Sequence, residues 1–141
     1  MKTVTLLLLA GVALAACSGS SAPARPAEIT VEAKEFAFSP AVIEVTAGQP
    51  VKLTFRNTGA LEHDFSVMEF PMAGTSAATE PMGGHDMGNM TAEPELHVAA
   101  MTGQTSALEF TPSQPGRYEF LCTVSGHKQA GMVGSLVVES P

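Results

Sequence analysis

The sequence predicts an all-β chain folded as an antiparallel Greek-key β-sandwich, and three observations predict it. Apolar residues recur at every second position in short runs, Gly- and Pro-containing turns separate the runs, and no stretch carries a capped helical period. Ile29, Val31 and Ala33 alternate with polar residues, as Ile43 and Val45 do before the turn Ala47-Gly48-Gln49-Pro50. Val51, Leu53 and Phe55 come next and stop at Asn57-Thr58-Gly59. Phe65 and Val67 start another strand, and Leu108 and Phe110 lead into the turn Pro112-Ser113-Gln114-Pro115-Gly116. Tyr118, Phe120 and Cys122 alternate after that turn, and residues 133–138 close the pattern. Strands this short, split by turns, bury their apolar faces by packing sheet on sheet. No longer period repeats, which excludes a solenoid or propeller.

The 141 residues leave room for one domain, set at residues 28–141. Apolar residues make up 45% and charged ones 15%, so the chain can build a core. A formal net charge of -7 argues against non-specific binding to nucleic acid, which depends on basic patches. The same charge suits docking on a basic protein partner. Residues 1–16 read as an export signal. Lys2 is its positive start, and Val4 to Ala16 is apolar but too short to span a bilayer comfortably. The signal ends Leu14-Ala15-Ala16-Cys17, which resembles the lipobox of bacterial lipoproteins. That resemblance implies cleavage before Cys17, lipid chains on Cys17 and a membrane anchor at the periplasm or cell surface. An ordinary secretory signal followed by a chance cysteine is the other reading. Residues 17–27 are small, polar and Pro-containing, as in a flexible tether. With Cys17 at the processing site and Cys122 in the motif described next, no disulfide is expected.

Cys122-Thr123-Val124-Ser125-Gly126-His127-Lys128-Gln129-Ala130-Gly131-Met132 places a thiolate, an imidazole and a thioether in one loop, spaced Cys-x4-His-x4-Met. His63, at a distant strand end, is the natural fourth donor. Two His, one Cys and a weak axial Met make an electron-transfer copper site. Soft sulfur suits Cu(I), and imidazole suits Cu(II) as well. Zinc sites use similar donors but seldom a thioether. Taken singly, Cys122 is also readable as a structural thiol, Met132 as core and either His as a surface residue. Joint spacing favours the metal.

At these residues the chain resembles the plastocyanin/azurin family of cupredoxins, roughly from Glu28 to Glu139. The resemblance implies one type 1 copper, with His63, Cys122 and His127 as its strong ligands and Met132 as the axial one. It implies that His127 presents an edge to redox partner proteins, beside Gly126, Ala130 and Gly131. The family often has Asn after its first His, tying the two ligand loops together. Here that position is Asp64, which leaves that tie open and places an acid near the copper.

Residues 69–94 break the strand rhythm and read as a Met-rich insert. Met82, His85, Met87 and Met90 form a candidate second site, for Cu(I), since thioethers favour that ion. A plain surface loop is the competing reading. His97 follows the insert and is expected to face solvent.

Two functions follow. One is a blue copper protein transferring single electrons in the cell envelope as a monomer. The other is a copper-binding chaperone or tolerance protein that uses the insert to hold extra Cu(I). A type 1 site has no open position for substrate, and no triad or phosphate loop stands out, so an enzyme is not expected.

Overall fold

The computed structural model describes residues 25–80 and 92–141. The export signal, Cys17 and the quartet Met82, His85, Met87 and Met90 therefore lie outside the described residues. Ten strands form among the described ones: β1 (Ala27–Lys34), β2 (Ala37–Ser39), β3 (Val42–Thr46), β4 (Val51–Asn57), β5 (His63–Val67), β6 (Ala77–Thr79), β7 (Leu96–Ala100), β8 (Thr105–Phe110), β9 (Gly116–Leu121) and β10 (Val133–Glu139). No helix interrupts them, as the absence of a helical period predicts.

The strands make two five-stranded sheets, ordered β2-β1-β4-β8-β6 and β3-β10-β9-β5-β7. Most neighbours are antiparallel, but β1 runs parallel to β4 and β3 parallel to β10. The sheets are thus mixed rather than wholly antiparallel. Parallel neighbours cannot be joined by a hairpin. Here the chain leaves the first sheet after β2 and enters the second with β3, so β4 returns beside β1 after a crossover.

The alternation read from the sequence sets the two faces. In β4, Val51, Leu53 and Phe55 point inward while Lys52 and Arg56 face out. Phe38, Phe55, Phe65 and Phe120 meet in the core, with the Phe65 and Phe120 rings stacked at 4.7 Å. Cys122 and Met132 belong to the same buried cluster. Burying a large apolar side chain is worth about 1.5–3 kcal/mol, so this layer forms a firm floor beneath the loops that follow β4, β9 and β7.

Four strands show no alternation of burial. β5 is buried at all five positions, Asp64 and Ser66 included. β2 and β6 have three residues each, too few to show a period. β7 is buried at four of its five positions, so no polar partner marks every second residue. β6 lies within the segment set apart as an insert, pairing with β8 from Ala77 to Thr79. Nearby, the Ala73 N–H donates to Thr111 O and the Ser113 N–H to Pro71 O, which fasten residues 71–73 to the sandwich.

Asn57 closes one end of the sandwich. It is buried, its Nδ2 donates to Leu61 O at 2.7 Å and Ala100 O at 2.8 Å, and its Oδ1 accepts the Gly59 N–H at 2.9 Å. The turn 57–61 that carries the chain to His63 hangs on this one side chain. Asn57→Ala strands two carbonyls and an N–H, so unfolding in urea is expected to show a loss of about 3 kcal/mol.

Candidate metal centre

His63 is the first residue of β5 and is fully buried. Cys122 follows the last residue of β9, and residues 123–132 then loop back to β10. The loop is closed by its own backbone. The Cys122 N–H donates to Met132 O at 3.2 Å, the Met132 N–H to His127 O at 3.0 Å, and the His127 N–H to Val124 O at 3.0 Å. These bonds hold Cys122, His127 and Met132 at one end of the sandwich, where β5 presents His63.

The side chains converge. Cys122 Sγ lies 3.3 Å from His127 Nδ1 and 4.0 Å from His63 Nδ1, and the two imidazole centroids are 5.0 Å apart. All three donor atoms fall within 4.8 Å of one another, and all three residues are buried. Metal–nitrogen bonds of about 2.0 Å and metal–sulfur bonds of about 2.3 Å place two donors on one ion roughly 3.5 Å apart. The spacing here is that of donors sharing a cation. Met132 is fully buried in the same cluster. Among the described residues these three are the only His, Cys and carboxylate donors that gather in this way. His97 is not among them. It is half-buried, with Nδ1 2.9 Å from Ser66 Oγ.

Residues 26–139 match the family described as copper-binding proteins, plastocyanin/azurin family. The chain belongs to that family. Among its curated relatives, Auracyanin-A of Chloroflexus aurantiacus is 30% identical, with 98% of this chain and 96% of the relative covered. The copper-resistant cuproprotein CopI of Rubrivivax gelatinosus is also 30% identical, covering 85% of this chain and 70% of the relative. In structure, the blue copper protein auracyanin A from Chloroflexus aurantiacus superposes with a TM-score of 0.60 at 23% identity, over 82% of this chain and 100% of the other. The plastocyanin/azurin fold is thus shown, and copper is the metal this protein binds. Its function is that of a blue copper protein, carrying single electrons between redox partners.

The tie between ligand loops, left open by Asp64, forms in full. Asp64 is buried. Its Oδ1 accepts the Thr123 N–H at 2.8 Å and the Ser66 hydroxyl at 3.1 Å, and its Oδ2 accepts the Thr123 hydroxyl at 2.5 Å. The residue after His63 is thereby locked to the residue after Cys122. Sequence reasoning had no sign of the Thr123 and Ser66 hydroxyls, because neither belongs to the donor pattern.

His127 is 5% exposed, and the Phe36 ring stands edge-on to it, with centroids 5.2 Å apart at 85°. Phe36 belongs to the turn after β1, far away in sequence.

Burial, opposed mainly by nearby carboxylates and helped by the neighbouring His127, pushes the His63 pKa down, leaving a neutral ring ready to donate a lone pair. Burial, with the Asp64 charge next, pushes the Cys122 thiol up to about 11 from the ordinary 9.0. Metal entry must therefore expel a proton that the metal-free protein holds tightly. The folded chain keeps this proton at a pH where the unfolded chain has lost it. The resulting stability is full below about pH 9 and drains away as pH rises toward about 11. Metal-free protein is expected to lose about 2 kcal/mol between pH 8 and pH 10.5 from this group alone. Urea melts of wild type and Cys122→Ala at the two pH values isolate it, since the variant lacks that component of the loss.

Proposed function

We propose that His63, Cys122 and His127 are the strong ligands of one type 1 copper and Met132 its axial ligand, in a monomeric electron carrier of the cell envelope. The observation that carries this reading is the convergence of two Nδ1 atoms on one buried Sγ. Bound copper supplies the one-electron redox couple. The chain supplies the rest: a thiolate and imidazoles acceptable to both oxidation states, a dry pocket, and loops tied so that little moves when the charge changes. No position is left for a substrate, so the reading is a carrier rather than an enzyme.

The end of the sandwich that carries the ligands also suits a passing partner. Phe36, Leu61, Met101 and Val133 are 43%, 46%, 49% and 37% exposed. Leu61 and Val133 lie two and one residues from His63 and Met132, and Met101 follows Ala100, the strand partner of His63. Gly126, Ala130 and Gly131 are exposed beside them. A small apolar patch of this kind supports weak, short-lived docking. The lipobox-like start supports export and an anchor through Cys17.

The test is a copper titration of residues 18–141 followed by visible spectroscopy. An intense thiolate-to-copper band that saturates at about one equivalent is the expected result. A folded protein that takes up copper without that band overturns the ligand assignment.

The name of the CopI relatives, copper-resistant cuproproteins, favours a second reading in which the chain also handles copper. Met82, His85, Met87 and Met90 would then take a further Cu(I). Since β6 and residues 71–73 are part of the sandwich, the discriminating variant changes only those four residues to Ser. Loss of a second Cu(I) equivalent with the blue band intact supports copper handling, and a stoichiometry of one in both proteins removes it.

A further inference from the structure

One two-residue turn reaches both imidazoles. β1 ends at Lys34 and β2 begins at Ala37, so Glu35 and Phe36 alone join the hairpin. Phe36 has φ 59, a left-handed backbone that a bulky residue adopts only at a cost and that Gly adopts freely. Its ring is nearly half exposed, so burial does not account for an aromatic residue there. What the strained backbone achieves is the edge-on contact with His127.

Glu35 addresses the other histidine. Its Oε1 accepts the Ala60 N–H and lies over the bare Cα of Gly59. A methyl group at position 59 would come within 2.7 Å of that oxygen and 3.1 Å of His63 Nε2. Only Gly leaves this gap open. His63 Nε2 is buried with no hydrogen-bond partner. A neutral imidazole that turns Nδ1 toward a metal keeps its proton on Nε2, and a buried N–H calls for an acceptor. The Glu35 carboxylate borders the same Gly59, bonded to Ala60 and not to Nε2, and is the charged acceptor on that side of the ring.

We propose that the Glu35-Phe36 turn is a positioning device for both histidines of the centre: Glu35 takes up the His63 Nε2–H when a metal engages Nδ1, and its charge favours Cu(II), while Phe36 shields the outer edge of His127. This rests on the ligand assignment above. A carboxylate on the far nitrogen fixes the tautomer and ring orientation and makes the imidazole a stronger donor, which stabilises the more highly charged ion. A ring over His127 lengthens the path from copper to any small reagent in solution.

The experiment uses the copper-loaded full domain, and the wild-type blue band decides the ligand assignment beforehand. Glu35→Gln keeps an acceptor and removes the charge. It is expected to shift the Cu(I):Cu(II) balance at fixed potential about tenfold toward Cu(I), a rise of about 59 mV for one electron. In wild-type Cu(I) protein, proton NMR is expected to show a slowly exchanging His63 ring N–H. Phe36→Gly suits the backbone and removes the ring, and oxidation by a small inorganic complex is expected to quicken about fivefold. A blue Glu35→Gln protein with unchanged potential, or a fast-exchanging ring N–H in wild type, overturns the role of Glu35. An unchanged oxidation rate in Phe36→Gly overturns the shield.

Discussion

Cys122→Ser is expected to abolish the intense visible band and to weaken copper binding far beyond the roughly 10–100-fold typical of changes around a ligand. The exchange is nearly isosteric at a fully buried position, so the metal-free fold is expected to survive within about 2 kcal/mol. What changes is the chemistry of the donor. A thiolate is soft and charge-donating, which suits both copper states. A serine hydroxyl keeps its proton at any ordinary pH and offers Cu(I) almost nothing. The two imidazoles that remain would hold Cu(II) in a tetragonal N,O arrangement with water. The measurement is a spectrum and a competition titration on wild type and variant, with circular dichroism to establish that both are folded. A serine variant that stays blue would remove Cys122 from the ligand set.

Much of this site is legible in the sequence because chemistry and chain order coincide. Cys122, His127 and Met132 share one loop, so their spacing alone carries the pattern. His63 is distant, yet it opens a strand whose sequence alternates, and it pairs with Ala100 at the end where the loop returns. Other features are tertiary and leave no local mark. Asn57 works through carbonyls at 61 and 100, which no spacing rule connects. Phe36 carries no mark in the sequence, and only the hairpin sets it against His127. Glu35 is one acid among many until Gly59 leaves room beside His63. The five-residue β7 run, Leu96 to Ala100, hides because burial on both faces erases alternation. Pairing parallel to β4 and β10 was likewise invisible, since alternation fixes which face a residue takes but not the direction of its neighbour.

Asp64→Asn is the second large effect, and it separates the two things Asp64 does. The first is mechanical. Its oxygens hold the Thr123 N–H and hydroxyl, tying β5 to the Cys122 loop. Asn keeps an oxygen for the N–H and turns its amide toward the Thr123 oxygen, so the loops stay joined. The second is electrostatic. Three donors, from Thr123 and Ser66, converge on the carboxylate, a shell suited to negative charge. A unit charge within roughly 8 Å, at an effective dielectric constant of about 20, is worth about 2 kcal/mol. A negative charge stabilises Cu(II) over Cu(I), so it lowers the reduction potential. Removing it is expected to raise the potential by about 90 mV at low salt, at 59 mV per tenfold change for one electron. Loss of the Asp64 charge should also let the metal-free Cys122 thiol ionise at lower pH, because that charge is one cause of its raised value. The two readouts, voltammetry on the blue protein and thiol titration on the metal-free one, are independent. Asp64→Ala, which cuts the tie as well, should lose stability in addition, by about 3 kcal/mol in urea. If Asp64→Asn leaves the potential unchanged while Asp64→Ala is destabilised, Asp64 is a fastener alone, and electrostatic tuning of the copper falls to Glu35.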